Sequence, residues 1–318
     1  MNKTGVIYGP VASRRLGTSL GIDLTPEFHC TMDCIYCEIN VRKRKVIFSP
    51  KGGLPSSFLV LNELKRKIKE LDKVSLDFVT VSGSGEPTLH PDLGIIAKGM
   101  KKIIKETGLR ARTALITNST LLFRESVLKN VLLFDVILGK LDAGSNAILK
   151  RINRPHSMIT IEKIVTGLSN LTRKGGELWL TTMFVRGIND SRDEIERIAS
   201  IVQRINPTVY LVDSPSRPPG RKISLSQKEL KKIGNIMKEL VSVPVRVVPR
   251  IPQVKRIKNI AGARLVHEIL AITAIRPSTI KDLTMELGVE EEIIKNILHQ
   301  LVAQKILIES DGYYLKNR

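Results

Sequence analysis

From residue 20 to residue 241 the chain alternates short strand-like runs with longer amphipathic stretches, and this alternation restricts the fold more than any other feature. Strand-like runs lie at 20–24, 78–82, 113–117, 136–141, 178–185 and 209–212. Segments 59–71, 93–107, 127–133, 160–174, 192–205 and 225–241 carry apolar residues at helical spacing. A helix between successive strands brings them back running the same way, so a parallel sheet is implied. Six units are too few to close an eight-fold barrel. The expected fold is α/β, a partial (β/α)6 open barrel of the TIM type. On such a sheet reactive residues gather at the C-terminal ends of the strands.

The pattern changes near Pro249. Residues 249–261 hold prolines and basic residues without a period and read as a linker after a barrel spanning 1–248. Beyond it, 263–272, 279–287 and 290–304 read as helices, and Asp311-Gly312 marks the turn of a hairpin. Three helices and a hairpin within 262–318 predict a small C-terminal winged helix-turn-helix.

Formal net charge is +20, from 51 Lys and Arg against 31 Asp and Glu. Residues 262–318 contribute seven Lys/Arg and eight Asp/Glu, leaving 44 against 23 in the remainder. The whole basic excess therefore lies on the first domain, and a polyanionic partner is expected there. The third tail helix opens with Glu290-Glu291-Glu292, which suits the helix dipole but repels phosphates. Protein contact is the better expectation for the tail. No apolar run approaches the roughly 20 residues that span a bilayer, and the first residues lead into no signal-like stretch. The expectation is a cytoplasmic chain without membrane contact.

Three cysteines occur, Cys30, Cys34 and Cys37, all within eight residues. An odd, tightly clustered set makes a poor disulfide framework and fits a metal site in a reducing compartment. Zinc is one reading, with adjacent His29 completing a Cys3His set. Structural zinc ligands usually arrive as two separated pairs, and no second pair exists. An iron–sulfur cluster is the other: thiolates hold it, and three of them leave one iron open. After the second strand comes Gly83-Ser84-Gly85-Glu86-Pro87, a turn that permits close backbone approach and carries one carboxylate. Thr117-Asn118-Ser119 and Lys140-Leu141-Asp142 end the next two strands. Arg154 and Arg186 are lesser candidates, while Trp179, His90, His156, His267 and His299 read as packing or surface residues.

The spacing Cys30-x-x-x-Cys34-x-x-Cys37, with Tyr36 before the last cysteine, resembles the signature of the radical S-adenosylmethionine (SAM) superfamily. The resemblance runs over residues 5–250. Tyr8-Gly9-Pro10, Ser13-Arg14-Arg15-Leu16-Gly17, Ser19 to Asp23, Ser82 to Pro91 and Arg217-Pro218-Pro219 resemble one branch, grouped with the radical enzymes that build wyosine bases in tRNA. It implies a [4Fe–4S] cluster on Cys30, Cys34 and Cys37. It implies SAM bound by residues drawn from Tyr36, Gly85, Glu86, Asn118, Lys140 and Asp142. Glu86 would take the methionyl amine, Lys140 the carboxylate, and Asn118 or Asp142 the ribose. Reductive cleavage of SAM would then give a 5′-deoxyadenosyl radical that abstracts hydrogen. No side chain is named as an acid or base. Wyosine-forming enzymes hold a second cluster on three further cysteines, which this chain lacks.

The implied partners are RNA or tRNA on the basic barrel, a flavodoxin- or ferredoxin-like reductant, and a protein met by the winged helix. A peptide or a small metabolite competes as substrate. A non-catalytic iron–sulfur or zinc regulator that binds nucleic acid is the alternative of another class.

Overall fold

A computed structural model of the chain describes residues 6–25, 28–39, 44–71, 75–250 and 263–317. The chain begins with β1 (Ile7–Ser13), β2 (Gly17–Asp23) and the short pair β3 (His29–Cys30) and β4 (Arg44–Lys45). There follow α1 (Ser57–Glu70), β5 (Phe78–Ser82), α2 (Leu93–Glu106), β6 (Arg112–Thr117), α3 (Glu125–Val131) and β7 (Val136–Lys140). Then come α4 (Asn146–Asn153), α5 (Ile161–Arg173), β8 (Leu178–Met183), α6 (Arg192–Ile205), β9 (Val209–Asp213), α7 (Gln227–Leu240) and β10 (Val245–Val247).

Eight of these strands form one sheet in the order β1-β2-β5-β6-β7-β8-β9-β10. β1 runs antiparallel to β2, and every later neighbour is parallel. This is the expected mostly parallel sheet of a partial barrel. Its six expected strands are β2 and β5–β9; β1, β10 and α4 are additions that the sequence reading did not contain. β10 runs to Val247, so regular structure continues to the edge of the expected linker, and residues 251–262 lie outside the described set.

Alternation along the strands divides the sheet into two faces. Val79, Val81, Leu115, Ile137, Leu180, Tyr210 and Val212 pack with the helices in the largest apolar core. The intervening positions form a smaller cluster in which Leu16, Phe78, Ala114, Val136 and Leu138 are buried. Farther along the same face come Thr80, Ser82, Ile116, Lys140 and Met183, which line a cavity. Phe78 and Trp179 meet edge to face at 6.0 Å, so Trp179 is the packing residue it was expected to be.

The tail consists of α8 (Ala263–Ile275), α9 (Ile280–Leu287), α10 (Glu291–Ala303), β11 (Leu307–Ser310) and β12 (Tyr313–Lys316). Thr279 and Asp282 make a capping box at the start of α9, and Gly288 ends it at φ 64°. Asp311 (φ 52°) and Gly312 (φ 75°) form the hairpin turn between β11 and β12. Ile269, Ile272, Leu283, Leu287, Ile294 and Leu298 fill the tail's core, and Tyr8 and Val11 of β1 belong to the same cluster. The tail is packed onto the first strand of the sheet. No helix among the described residues is long and apolar enough to cross a membrane.

Candidate active site

The cavity measures about 300 Å³. Cys30, Cys34 and Cys37 line it, together with Tyr36, Gly85, Glu86, Asn118 and Lys140. Strand ends deliver these residues: Cys30 ends β3, Glu86 follows β5, Asn118 follows β6 and Lys140 closes β7. Of the residues proposed from sequence for SAM, only Asp142 is not among the cavity-lining set.

All three cysteines are half-buried. The Asn118 side-chain amide donates to Cys30 Sγ at 3.5 Å, and that of Asn153 to Cys34 Sγ at 3.3 Å. Amide donors at sulfur stabilise thiolate charge and tune a cluster's potential. Burial pushes the Cys34 thiol up to about 12, with Lys140 opposing the shift, and raises Cys30 further still. Loading iron must therefore release protons, which the charge of the metal drives.

Among the described residues no three His, Cys, Asp or Glu side chains converge on a single ion. A zinc site needs such convergence. A [4Fe–4S] cluster does not, because each thiolate takes a different iron. His29, the would-be zinc ligand, is buried outside the cavity lining. Three cysteines lining one cavity, side-chain amides aimed at two of their sulfurs and, among the described residues, no set converging on a single ion make a donor arrangement that fits the cluster.

Glu86 is 2% exposed. Its Oε1 accepts from Thr88 N (3.1 Å), Thr88 Oγ1 (2.6 Å) and Thr117 Oγ1 (2.6 Å), and its Oε2 from Asn118 N (2.8 Å). Burial raises its pKa while these donors oppose the shift. The carboxylate thus locks the end of β5 to the end of β6 while facing the cavity. The glycines before it serve chain-to-chain contact. A Cβ on Gly85 would stand 2.0 Å from the His29 carbonyl oxygen, and one on Gly83 2.3 Å from Asp23 Oδ1. The space beside each is filled by the chain itself, by the His29 carbonyl of the cysteine loop at Gly85 and by Asp23 at Gly83.

The Tyr36 hydroxyl donates to Asp142 Oδ2. Asn153 donates to the same oxygen at 2.8 Å, and Met183 N to Asp142 Oδ1 at 2.9 Å. The Lys140 ammonium stands 4.9 Å from the centroid of the Tyr36 ring and 3.5 Å from its hydroxyl. Asp142 is a buried anchor for Tyr36 and Asn153, and Lys140 remains the cation facing the cavity beside Cys34. Arg154 caps α4 in the left-handed region, and Arg186 is held by Glu229 at 2.7 Å on the surface.

Asn153 was passed over because nothing in its spacing ties it to Cys34; only the folding of α4 behind the cysteine loop does. Four arginines also line the cavity: Arg14, Arg15, Arg217 and Arg276. The first three lie in motifs the sequence displayed without a role, whereas Arg276 lies in the tail and carried no signal.

Fold and donor set together define an iron–sulfur enzyme of the radical SAM kind, and the chain belongs to the Radical SAM superfamily, whose model matches residues 27–200. The cofactors of this class are a [4Fe–4S] cluster and SAM. A UPF0026 protein of Methanocaldococcus jannaschii is 29% identical over 98% of this chain and 96% of its own length. A protein of Brachyspira hyodysenteriae named GTPase Obg is 31% identical over 94% of this chain, which spans only 43% of that protein. Among solved structures, TYW1 with a lysine–pyruvate adduct bound superposes with a TM-score of 0.54 at 22% identity, covering 74% of this chain and 76% of that one.

Proposed function

We propose that the chain cleaves SAM reductively to generate a radical that takes a hydrogen atom from an RNA, with tRNA the leading candidate. With the cluster held by Cys30, Cys34 and Cys37 and SAM beside Glu86 and Lys140, the cofactors would supply the one-electron chemistry that cleaves SAM to a radical. The observation that carries the chemical part is that Cys30, Cys34, Cys37, Glu86 and Lys140 line one cavity. Of the four donors that reach Glu86 from the described residues, three go to Oε1 and Asn118 N goes to Oε2, so Oε2 has capacity for an amine of the methionyl group. Lys140 offers the carboxylate its counter-charge. Asn118, whose amide donates to Cys30 Sγ, is read as the contact to the ribose. Asp142 is read as a positioning residue, because its oxygens serve Tyr36, Asn153 and Met183.

Support for RNA comes from charge. The basic excess lies wholly outside residues 262–318. A second hollow, of about 560 Å³, is lined by Pro218, Pro219, Arg221, Lys222, Ser310 and Asp311. We read residues 263–317 as a winged helix that serves protein contact or closure rather than DNA binding. The reductant is taken to be a flavodoxin- or ferredoxin-like protein. A peptide substrate is the second reading, favoured by the apolar contact of the tail with β1 next to the cavity.

The test is anaerobic reconstitution with iron and sulfide, reduction, addition of SAM and assay of 5′-deoxyadenosine with and without tRNA. Product that disappears in Cys34→Ala and rises with tRNA supports the reading. An iron-loaded, reduced protein that yields no product with tRNA or peptide pools sinks it. RNA affinity must also fall linearly with the logarithm of salt concentration; a flat response removes RNA and leaves the peptide.

A further inference from the structure

Most of the cavity's chemistry is accounted for by the cysteines and the strand ends, but its arginines are not. Arg14 and Arg15 come from the β1–β2 turn, Arg217 from the segment after β9, and Arg276 from the end of α8. Three distant parts of the chain thus bring guanidinium groups to one cavity.

Their partners account for only part of their hydrogen-bonding capacity. Arg14 is held by Asp213, donating from Nη1 to Oδ1 at 2.9 Å and from Nη2 to Oδ2 at 3.3 Å, and Nη1 also reaches the Pro249 carbonyl at 3.4 Å. Arg15 stands 4.0 Å from that same carboxylate, beyond hydrogen-bond reach. Arg217 Nη2 lies 3.6 Å from Asp282 Oδ2, and Arg276 donates to Glu286. Among the described residues, no acceptor meets three buried nitrogens of these side chains: Arg15 Nη1, Arg217 Nε and Arg276 Nε. Arg217 as a whole is 8% exposed. Other charges reach the group: Glu38 lines the cavity and acts on Arg276, and Arg250 acts on Arg14's surroundings while donating to the Pro215 carbonyl at 2.9 Å. Five arginines therefore face Asp213, Asp282, Glu286 and Glu38.

Buried guanidinium donors without acceptors are costly, and the forked geometry of arginine matches the oxygens of phosphate and carboxylate groups. We infer that Arg15, Arg217 and Arg276, braced by Arg14, bind an oxyanion of the substrate, with the C-terminal unit supplying Arg276 to the cavity. The ligand chemistry is a phosphate ester or a carboxylate. These arginines share one cavity with Lys140, the cation proposed for SAM, and the inference assigns them to the substrate rather than to SAM. The inference deepens the proposed function and rests on its reading of the cavity as the radical site: an RNA would present a phosphate here, a peptide a carboxylate.

The experiment is calorimetric titration of the full-length, iron-loaded protein under anaerobic conditions at constant ionic strength. The probes are inorganic phosphate and succinate, each with and without saturating SAM. Saturable binding of one probe is expected, unaffected by SAM. Phosphate as the better probe assigns a phosphate ester, and succinate a carboxylate. Arg15→Gln and Arg217→Gln should each weaken binding by about ten-fold or more, since a hydrogen bond to a charged group is lost. Arg15→Gln is the decisive variant, because Arg15 makes no close ion pair and its loss leaves no carboxylate stranded. Exposed Arg66→Gln is the control for general charge. Absence of binding, binding by both variants as tight as by the unsubstituted protein, or displacement of the probe by SAM overturns the proposal. Assaying 5′-deoxyadenosine on the same preparation separates the two readings. Product without anion binding removes the arginine site alone, and anion binding without SAM cleavage removes the radical reading while the site stands.

Discussion

Four donors reach the Glu86 carboxylate, from Thr88, Thr117 and Asn118, and they hold two strand ends in register around the cavity. Replacing Glu86 by alanine strands two buried backbone N–H groups. Glu86→Ala should therefore cost about 3 kcal/mol or more in denaturant unfolding, and Glu86→Gln roughly half of that. Asp142→Asn is expected to act on metal retention. Three groups donate to Asp142, and an asparagine would turn its own N–H donors toward some of them. Asn153 then loosens from Cys34. Iron should be lost to a chelator about ten-fold faster, as for other residues that orient a metal ligand. At this scale much was legible. Glu86, Asn118 and Lys140 stand at strand ends, where a parallel sheet places reactive groups, and the cysteines lie in the loop that begins at β3. Asp142 occupies such an end too, but its side chain turns to a buried tyrosine, and strand position alone does not tell the two directions apart.

Two loops decide where the cysteines sit. The turn after β5 packs on β3 so closely that the His29 carbonyl occupies the space a Gly85 side chain would need, while Glu86 N donates to that carbonyl at 2.9 Å. Gly85→Ala must push the cysteine loop aside, and the expected outcome is a folded protein whose reconstituted iron content falls well below that of the parent. On the far side of the same turn, His90 Nε2 meets the Pro55 carbonyl at 2.8 Å, and its Nδ1 accepts from Asp92 N at 3.1 Å. A proton on Nδ1 would face that N–H, and burial lowers the folded pKa below the ordinary 6.5. The unfolded chain then binds more protons than the folded one just below pH 6.5, so stability rises with pH through that window. In His90→Gln this part of the rise should vanish when midpoints are compared at pH 5 and pH 7. Element limits followed from periodicity where strands and helices were long. β1 escaped because Gly9 and Pro10 punctuate it and its pairing with β2 shifts between Tyr8 and Val11. α4 spans eight residues and β10 three, too few for a period to show.

The sequence suggests a barrel and a separate tail, because the pattern breaks near Pro249 and the charge changes sign. Contacts between distant segments join the two. Tyr8 stacks where Gly21 leaves room, its hydroxyl meets Ser82 Oγ at 2.6 Å, and it is counted in the tail's apolar core. Ala12 N donates to Glu286 of α9 at 3.3 Å, and Tyr313 donates to the Ser216 carbonyl at 3.2 Å. No single-sequence pattern reveals which face of β1 meets which helix, so this junction could not be read in advance. With a core shared across it, barrel and tail should unfold in one calorimetric transition; two resolved transitions would show independent units. The sharpest probe is the ion pair between Lys67 of α1 and Glu268 of α8, both almost fully buried. Their attraction is set against the cost of taking two charges out of water, so the intact pair contributes little net stability. Removing one member is different, because an unmatched charge remains inside. Lys67→Met should therefore destabilise the whole chain by about 3–5 kcal/mol, and Lys67→Met with Glu268→Leu should recover most of that. Urea unfolding of the two single variants and the double variant measures the coupling. If tail and barrel are one cooperative body, the single-variant loss appears in the transition of both; a loss confined to the tail's signal would mean that the junction transmits nothing.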